Sequence, residues 1–269
     1  MKKIRNFNRL YFAKILSLIL LSFCFKVSFG NQQNNFNPNL PPKITEANAE
    51  FVYKFLLAEI AAQRGDFNSA GHIYLDLAKQ THSISLAERA TRIAGSSRNG
   101  RVALDSAKVW NSLDPKSIQA QQILAELYIT SGNLSKAKPI VKKLLEQDTY
   151  RGGGFLYLNS ILAKVVNKKN ALRFIIDIAE PYSNSKEARF AVAHAAYFAN
   201  NKKLANSELV KIKKIDPKWQ TAVLFEGYII GLKSQRKAEN FYISYLKKYP
   251  EANEVRLEYA KLLTNQKKY

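Results

Sequence analysis

Residues 123–147 read ILAELYITSGNLSKAKPIVKKLLEQ. Two apolar stripes, Leu124–Ala125–Tyr128 and Ala137–Val141–Leu144, lie on either side of Gly132–Asn133. Spacings of three and four place each stripe on one face of a helix, and the Gly–Asn pair tolerates the left-handed backbone of a tight turn. The stretch predicts a helix, a turn and a second helix. Outward from it, the second stripe recurs along the chain as an alanine, an apolar residue four on and another three after that. The sets are Ala70/Tyr74/Leu77, Ala103/Ala107/Trp110, Ala137/Val141/Leu144, Ala171/Ile175/Ile178, Ala205/Leu209/Ile212 and Ala238/Tyr242/Tyr245. The alanines are 33, 34, 34, 34 and 33 residues apart.

Further landmarks keep the same register. Asp114–Pro115, Asp216–Pro217 and Tyr249–Pro250 fall 12 residues after their alanines, where proline ends a helix and presets the next turn. Gly65–Asp66 supplies the turn of the first unit, and first helices carry their own stripes, such as Leu57/Ala58/Ala61 and Leu158/Leu162. This pattern resembles the tetratricopeptide repeat (TPR), a 34-residue helix–turn–helix unit, and the chain is similar to uncharacterised exported TPR proteins of Gram-negative bacteria. The resemblance covers residues 51–269 and implies an all-α fold. It predicts a right-handed α-solenoid of about six units, starting near 51, 84, 118, 152, 186 and 219, plus a final helix from 253. Arg98 and Asn200 stand where glycine is usual at the turn. The last segment, with Tyr259, Ala260 and Leu263 in register, reads either as a capping helix or as the opening of a further unit. The alanines mark the close crossing of the two helices of each unit, where a larger side chain forces them apart.

Ahead of the repeats, residues 1–30 read as a secretory signal peptide. Lys2, Lys3, Arg5 and Arg9 precede an apolar run, Ile15–Phe25, and Ser28 and Gly30 stand three and one before a cut after Gly30. That run of 11 residues falls short of the roughly 20 a membrane span needs, so a retained N-terminal anchor is the less favoured reading. A lipid anchor at Cys24 is disfavoured by the large Phe23 before it. Cleavage leaves 36 basic and 21 acidic residues, net +15, and no cysteine, a composition that suits an oxidising periplasm or cell envelope. Residues 31–50 begin NQQNNFNPNLPPK and read as a flexible Asn/Pro-rich spacer.

No catalytic constellation is legible, and the expectation is a protein that is not an enzyme and has no catalytic, cofactor or metal site. His72, His82 and His194 fall in different units, and His72 and His194 are expected on helix surfaces. Arg151–Gly152–Gly153–Gly154 lacks the Gly-Lys-Ser/Thr of a phosphate loop and reads as a flexible joint between units. Glu59, Glu126 and Glu226 lie one per unit, without the convergence that paired-carboxylate chemistry requires.

The TPR resemblance implies that ligands bind a concave face lined by first helices. Carried onto this chain, the family's lining positions give Phe55, Glu59, Arg89, Arg92, Gln122, Glu126, Tyr157, Phe190, His194 and Tyr197. The Lys/Asn carboxylate clamp of some family members is absent. The arginines suit an acidic peptide near the second unit and the aromatics supply rigid contact area. The expected function is a protein-interaction scaffold of the bacterial cell envelope that holds a partner peptide or helix in this groove. The alternative is a basic adaptor on an anionic membrane or cell-wall surface, since residues 186–269 carry 17 basic against 8 acidic residues. The chain's basic clusters are Lys142–Lys143, Lys211/Lys213/Lys214 and Lys247–Lys248 on second helices. Lysine outnumbers arginine 30 to 12, as in A+T-rich coding, and the sequence leaves open whether the charge is functional or compositional. Nucleic acid is not an expected partner of an exported chain, and the sequence is silent on oligomeric state.

Overall fold

The computed structural model describes residues 49–97, 100–147 and 151–265. The expected signal peptide and residues 31–48 of the expected spacer lie outside them; Ala49 and Glu50, assigned to the spacer, open the first helix. The described residues form thirteen α-helices and contain no strand. They pair as hairpins: α1 (Ala49–Gln63) with α2 (Phe67–Thr81), α3 (Ile84–Ser96) with α4 (Gly100–Leu113), and α5 (Ile118–Thr130) with α6 (Leu134–Gln147). Then come α7 (Arg151–Leu162) and α8 (Lys168–Ala179), followed by the pairs α9 (Lys186–Phe198) with α10 (Lys202–Ile215) and α11 (Gln220–Gly231) with α12 (Gln235–Lys248), before α13 (Asn253–Asn265). The fold is an all-α helical repeat.

Local chemistry starts and stops these helices. Asp66, Ser83, Ser117, Ser185, Asn201 and Ser234 each precede a helix and accept a hydrogen bond from the backbone N–H three residues on, which satisfies a donor that has no partner inside the helix. Gly65 and Gly132 take the left-handed conformation at φ 79° and 80°. Asn200 adopts it too, at φ 64°, so asparagine replaces the usual glycine without loss of the turn. The triple glycine 152–154 forms the first turn of α7 rather than a flexible joint.

The chain divides into two compact units. The first holds α1–α6 and residues 160–167; the second holds residues 152–159 and everything from Lys168 on. In the first, Ala58, Ala70, Tyr74, Leu77, Ala87, Ala90, Ala103, Trp110 and Ala120 share one core. A Cβ added to Gly71 stands 3.2 Å from that of Ala94, so the first two hairpins are in close contact there. In the second unit Phe190, Ala193, Leu209, Ile212, Ala222 and Phe225 form one cluster. Val223, Ala238, Tyr242, Ala252 and Val255 form another. All six register alanines are buried, none more than 2% exposed. Their bulky companions are buried as well, except that Leu144 and Tyr245 are half-buried and Leu145 takes the core position beside Leu144.

Candidate functional site

In the first unit α1, α3 and α5 present the candidate residues. Glu59 on α1 accepts from the Tyr74 hydroxyl and, at 2.6 Å, from the Arg89 guanidinium. Arg89 also lies 5.1 Å from the centre of the Tyr74 ring, and Phe55 meets that ring edge-on at 6.0 Å. Burial, followed by the Glu59 hydrogen bond, holds the Tyr74 hydroxyl well above the usual phenol range. Arg89 and Arg92, expected to meet a peptide carboxylate, are each engaged by a carboxylate of the chain itself. Arg89 ties α3 to α1 and α2, and Arg92 donates twice to Glu88 one turn back, at 2.7 and 2.9 Å. A guanidinium already held by a carboxylate must give up that pair before it can grip another. Gln122 is exposed, whereas Glu126 is half-buried with the Lys164 ammonium 4.0 Å away.

The second unit treats its candidates differently. Phe190 and His194 are 1% and 4% exposed. Phe190 packs on Trp219 and Phe225, with ring centres 5.3 and 5.5 Å apart; His194 lies against Phe198 and Phe225 at 4.6 and 5.1 Å. Both belong to the core, which corrects their placement in a groove and the expectation that His194 lies on a helix surface. Burial, aided by the charge of Lys168, pushes the His194 imidazole down to about 3, so it is neutral at physiological pH. Tyr197 is half-buried against Phe225 and Tyr228, and Tyr157 is exposed.

The carboxylates considered for chemistry each face a cation: Glu59 faces Arg89, Glu126 faces Lys164, and Glu226 accepts from Lys213 at 2.7 Å. Among the described residues no group of three His, Cys, Asp or Glu is placed to hold a metal ion. Sequence reasoning missed two features. Glu208, buried in the second unit, accepts from Arg189 at 2.8 Å and Lys211 at 2.6 Å, which joins α9 to α10. An open cleft of about 590 Å³ lies on the first hairpin, bounded by Leu57, Ile60, Arg64 and His72. Its signal was the apolar character of α1 on every side, since Val52, Leu56, Leu57 and Ile60 remain exposed.

Comparison with known proteins finds no matching family model. The TPR repeat-containing protein PA4667 of Pseudomonas aeruginosa is 26% identical over 153 residues, which is 57% of this chain. The match spans 26% of that relative's length. Among solved structures, MamA gives a TM-score of 0.40 at 14% identity, covering 64% of this chain and 94% of that one. The C-terminal part of a TPR repeat-containing protein from Cytophaga hutchinsonii gives 0.40 at 17% identity, covering 80% and 90%. YrrB, described as a TPR protein with an unusual peptide-binding site, gives 0.38 at 12% identity, covering 64% and 90%. The resemblance to TPR proteins thus holds in sequence as well as in helical-repeat architecture.

Proposed function

We propose that the chain is a non-catalytic protein-interaction scaffold, exported to the bacterial cell envelope, that holds a partner peptide or helix on its first-helix faces. The observation that carries the reading is what those helices leave uncovered once their cores are packed. Within the first unit, Leu56 on α1 and Ile118 and Gln122 on α5 stay exposed, and so offer apolar anchors beside a hydrogen-bonding group. A partner carboxylate that meets Arg89 or Arg92 competes there with Glu59 or Glu88. A photo-crosslinking amino acid at Gln122 or Tyr157, against one at Lys143 or Val210 on second helices, tests the reading in cells. One polypeptide captured from the first-helix positions alone supports it; equal capture from both sets, or none, overturns it. Export is tested separately by cell fractionation and by sequencing the mature N-terminus, expected at Asn31.

The alternative, a basic adaptor on an anionic membrane or wall, rests on the charge surplus of residues 186–269. The second-helix lysines first associated with it are partly committed. Lys211 is held by Glu208 and Lys213 by Glu226, both at 2.6 Å.

A further inference from the structure

Within the second unit, α9 and α11 run side by side in the same direction. Phe190 meets Trp219 near their starts, at 5.3 Å, and Tyr197 meets Tyr228 near their ends, at 6.4 Å. The turns that follow them, Ala199–Asn201 and Leu232–Ser234, therefore lie on one edge. α8 packs against α9 and its end leads through the short segment 180–185 to the start of α9, so its own start lies towards the same edge.

This edge is strongly basic and its charge is unpaired. Lys169 opens α8, Lys202 and Lys203 open α10, and Lys233, Arg236 and Lys237 surround the start of α12. All six are exposed, and none forms an ion pair among the described residues. The first turns of α8, α10 and α12 contain no acid. The opposite edge is built the other way: Lys186 pairs with Asp216 at 2.6 Å and Lys218 faces Glu251 at 3.9 Å. Lys213, Lys214, Lys247 and Lys248 close their helices there, where the carbonyl ends favour cations. At the turn edge the helix starts repel cations, and Lys202–Lys203 and Arg236–Lys237 also repel each other. Folding gains nothing from this arrangement. A lysine-rich composition raises charge on both edges and does not clear the acids from one.

Charge is half of the pattern. Phe198 ends α9 and Leu232 follows α11, each 44% exposed, so an aromatic and an aliphatic side chain stand among these cations. A soluble polyanion needs only the charge; a bilayer surface uses both, with cations over the phosphates and apolar groups in the interfacial layer. No described helix is long and apolar enough to cross a membrane. We propose that the turn edge of the second unit, with Lys202, Lys203, Arg236, Lys237, Phe198 and Leu232 at its centre, docks on the surface of an anionic lipid bilayer. The proposal deepens the anionic-surface alternative above, on which it rests, and is independent of the peptide-binding reading, whose exposed first-helix residues are not used here.

The test is co-sedimentation of the full chain with phosphatidylcholine vesicles and with vesicles that also contain phosphatidylglycerol. The readout is the gain in binding caused by the anionic lipid, so any contribution of residues 1–48 is common to all variants. One variant carries Lys202→Gln, Lys203→Gln, Arg236→Gln and Lys237→Gln. A control of equal net charge carries Lys214→Gln, Lys218→Gln, Lys247→Gln and Lys248→Gln on the other edge. Each cation beside an anionic leaflet contributes about fivefold to partitioning. The turn-edge variant is expected to lose at least about tenfold of the lipid-dependent gain and the control less than about threefold. Phe198→Ser is expected to weaken binding that persists at high salt, with helicity unchanged by circular dichroism. Equal losses in the two charge variants overturn the proposal, as does a wild-type chain that shows no preference for phosphatidylglycerol. Undiminished binding by Phe198→Ser together with equally tight binding to soluble polyglutamate would assign the edge to an acidic polymer instead, and would also overturn it.

Discussion

Glu59 and His194 occupy the same address in two units of the repeat, the ninth residue counted from Phe51 and from Lys186. Their surroundings have nothing in common. On α1 the position meets Tyr74 and Arg89, and a half-buried carboxylate binds three helices through polar contacts. On α9 it meets Phe198 and Phe225, and an imidazole is sealed among rings as a neutral group. Gly227 holds the same place counted from Trp219, and there the Tyr242 ring fills the space a side chain would need. A repeat position thus specifies where a residue points, while the hairpin packed against it decides whether that direction ends in solvent, in an ion pair or in a core.

The strongest way to break the comparison is at Gly227. A Cβ there would overlap the hydroxyl and ring of buried Tyr242, so Gly227→Ala is expected to destabilise the second unit by about 3 kcal/mol in urea unfolding. Combination with Tyr242→Leu should recover part of that loss, and failure to do so would place the strain elsewhere.

His194 gives the next largest effect, through pH. Its folded value of about 3 lies below the ordinary 6.5, so between those values the unfolded chain binds the extra proton. Stability is full above about pH 6.5 and falls as pH is lowered towards 3, by about 2 kcal/mol between pH 7 and 5. Lys168 is the charged group that acts on the ring. Hydrogen exchange of α9 amides should show the loss, and His194→Phe should flatten it, because Phe190, Phe198 and Phe225 already provide an aromatic environment. A slope that survives the substitution would mean another group titrates.

The polar counterpart is expected to be weaker. Glu59→Ala leaves Arg89 without its carboxylate and should cost about 1–2 kcal/mol, less than full burial would imply because both side chains reach solvent. A double-mutant cycle with Arg89→Ala should show positive coupling; simple additivity would remove the tie from the account. Smallest of all, Arg92→Ala breaks only an exposed pair with Glu88 and should change stability by less than about 0.5 kcal/mol.

How far the sequence could be read follows from the same contrast. The helical hairpins were legible because alanine spacing, Gly and Asn turns and closing prolines act locally, and the six buried alanines answer to that register. The capping Ser, Asp and Asn residues were equally local signals, although the reading did not use them. The candidate site was less legible. Tyr157 and Gln122 are exposed, as lining residues must be, but Phe190 and His194 entered the core and Arg89 and Arg92 found carboxylates. Family positions specify a direction on a helix, and at Phe190 that direction ends against Trp219 and Phe225, some 30 residues further along the chain.

The class of fold, the helical pairing and the places where turns form follow from local signals in the chain, because these depend on residues within a few positions of one another. The lysine surplus of the later repeats is likewise legible in the sequence. Which of those lysines face acids and which stand uncompensated on the turn edge, and which aromatic residues are core and which are surface, depends on how the helices pack. Ion pairing and burial depend on what another helix brings within a few ångströms, and that is a property of packing rather than of spacing.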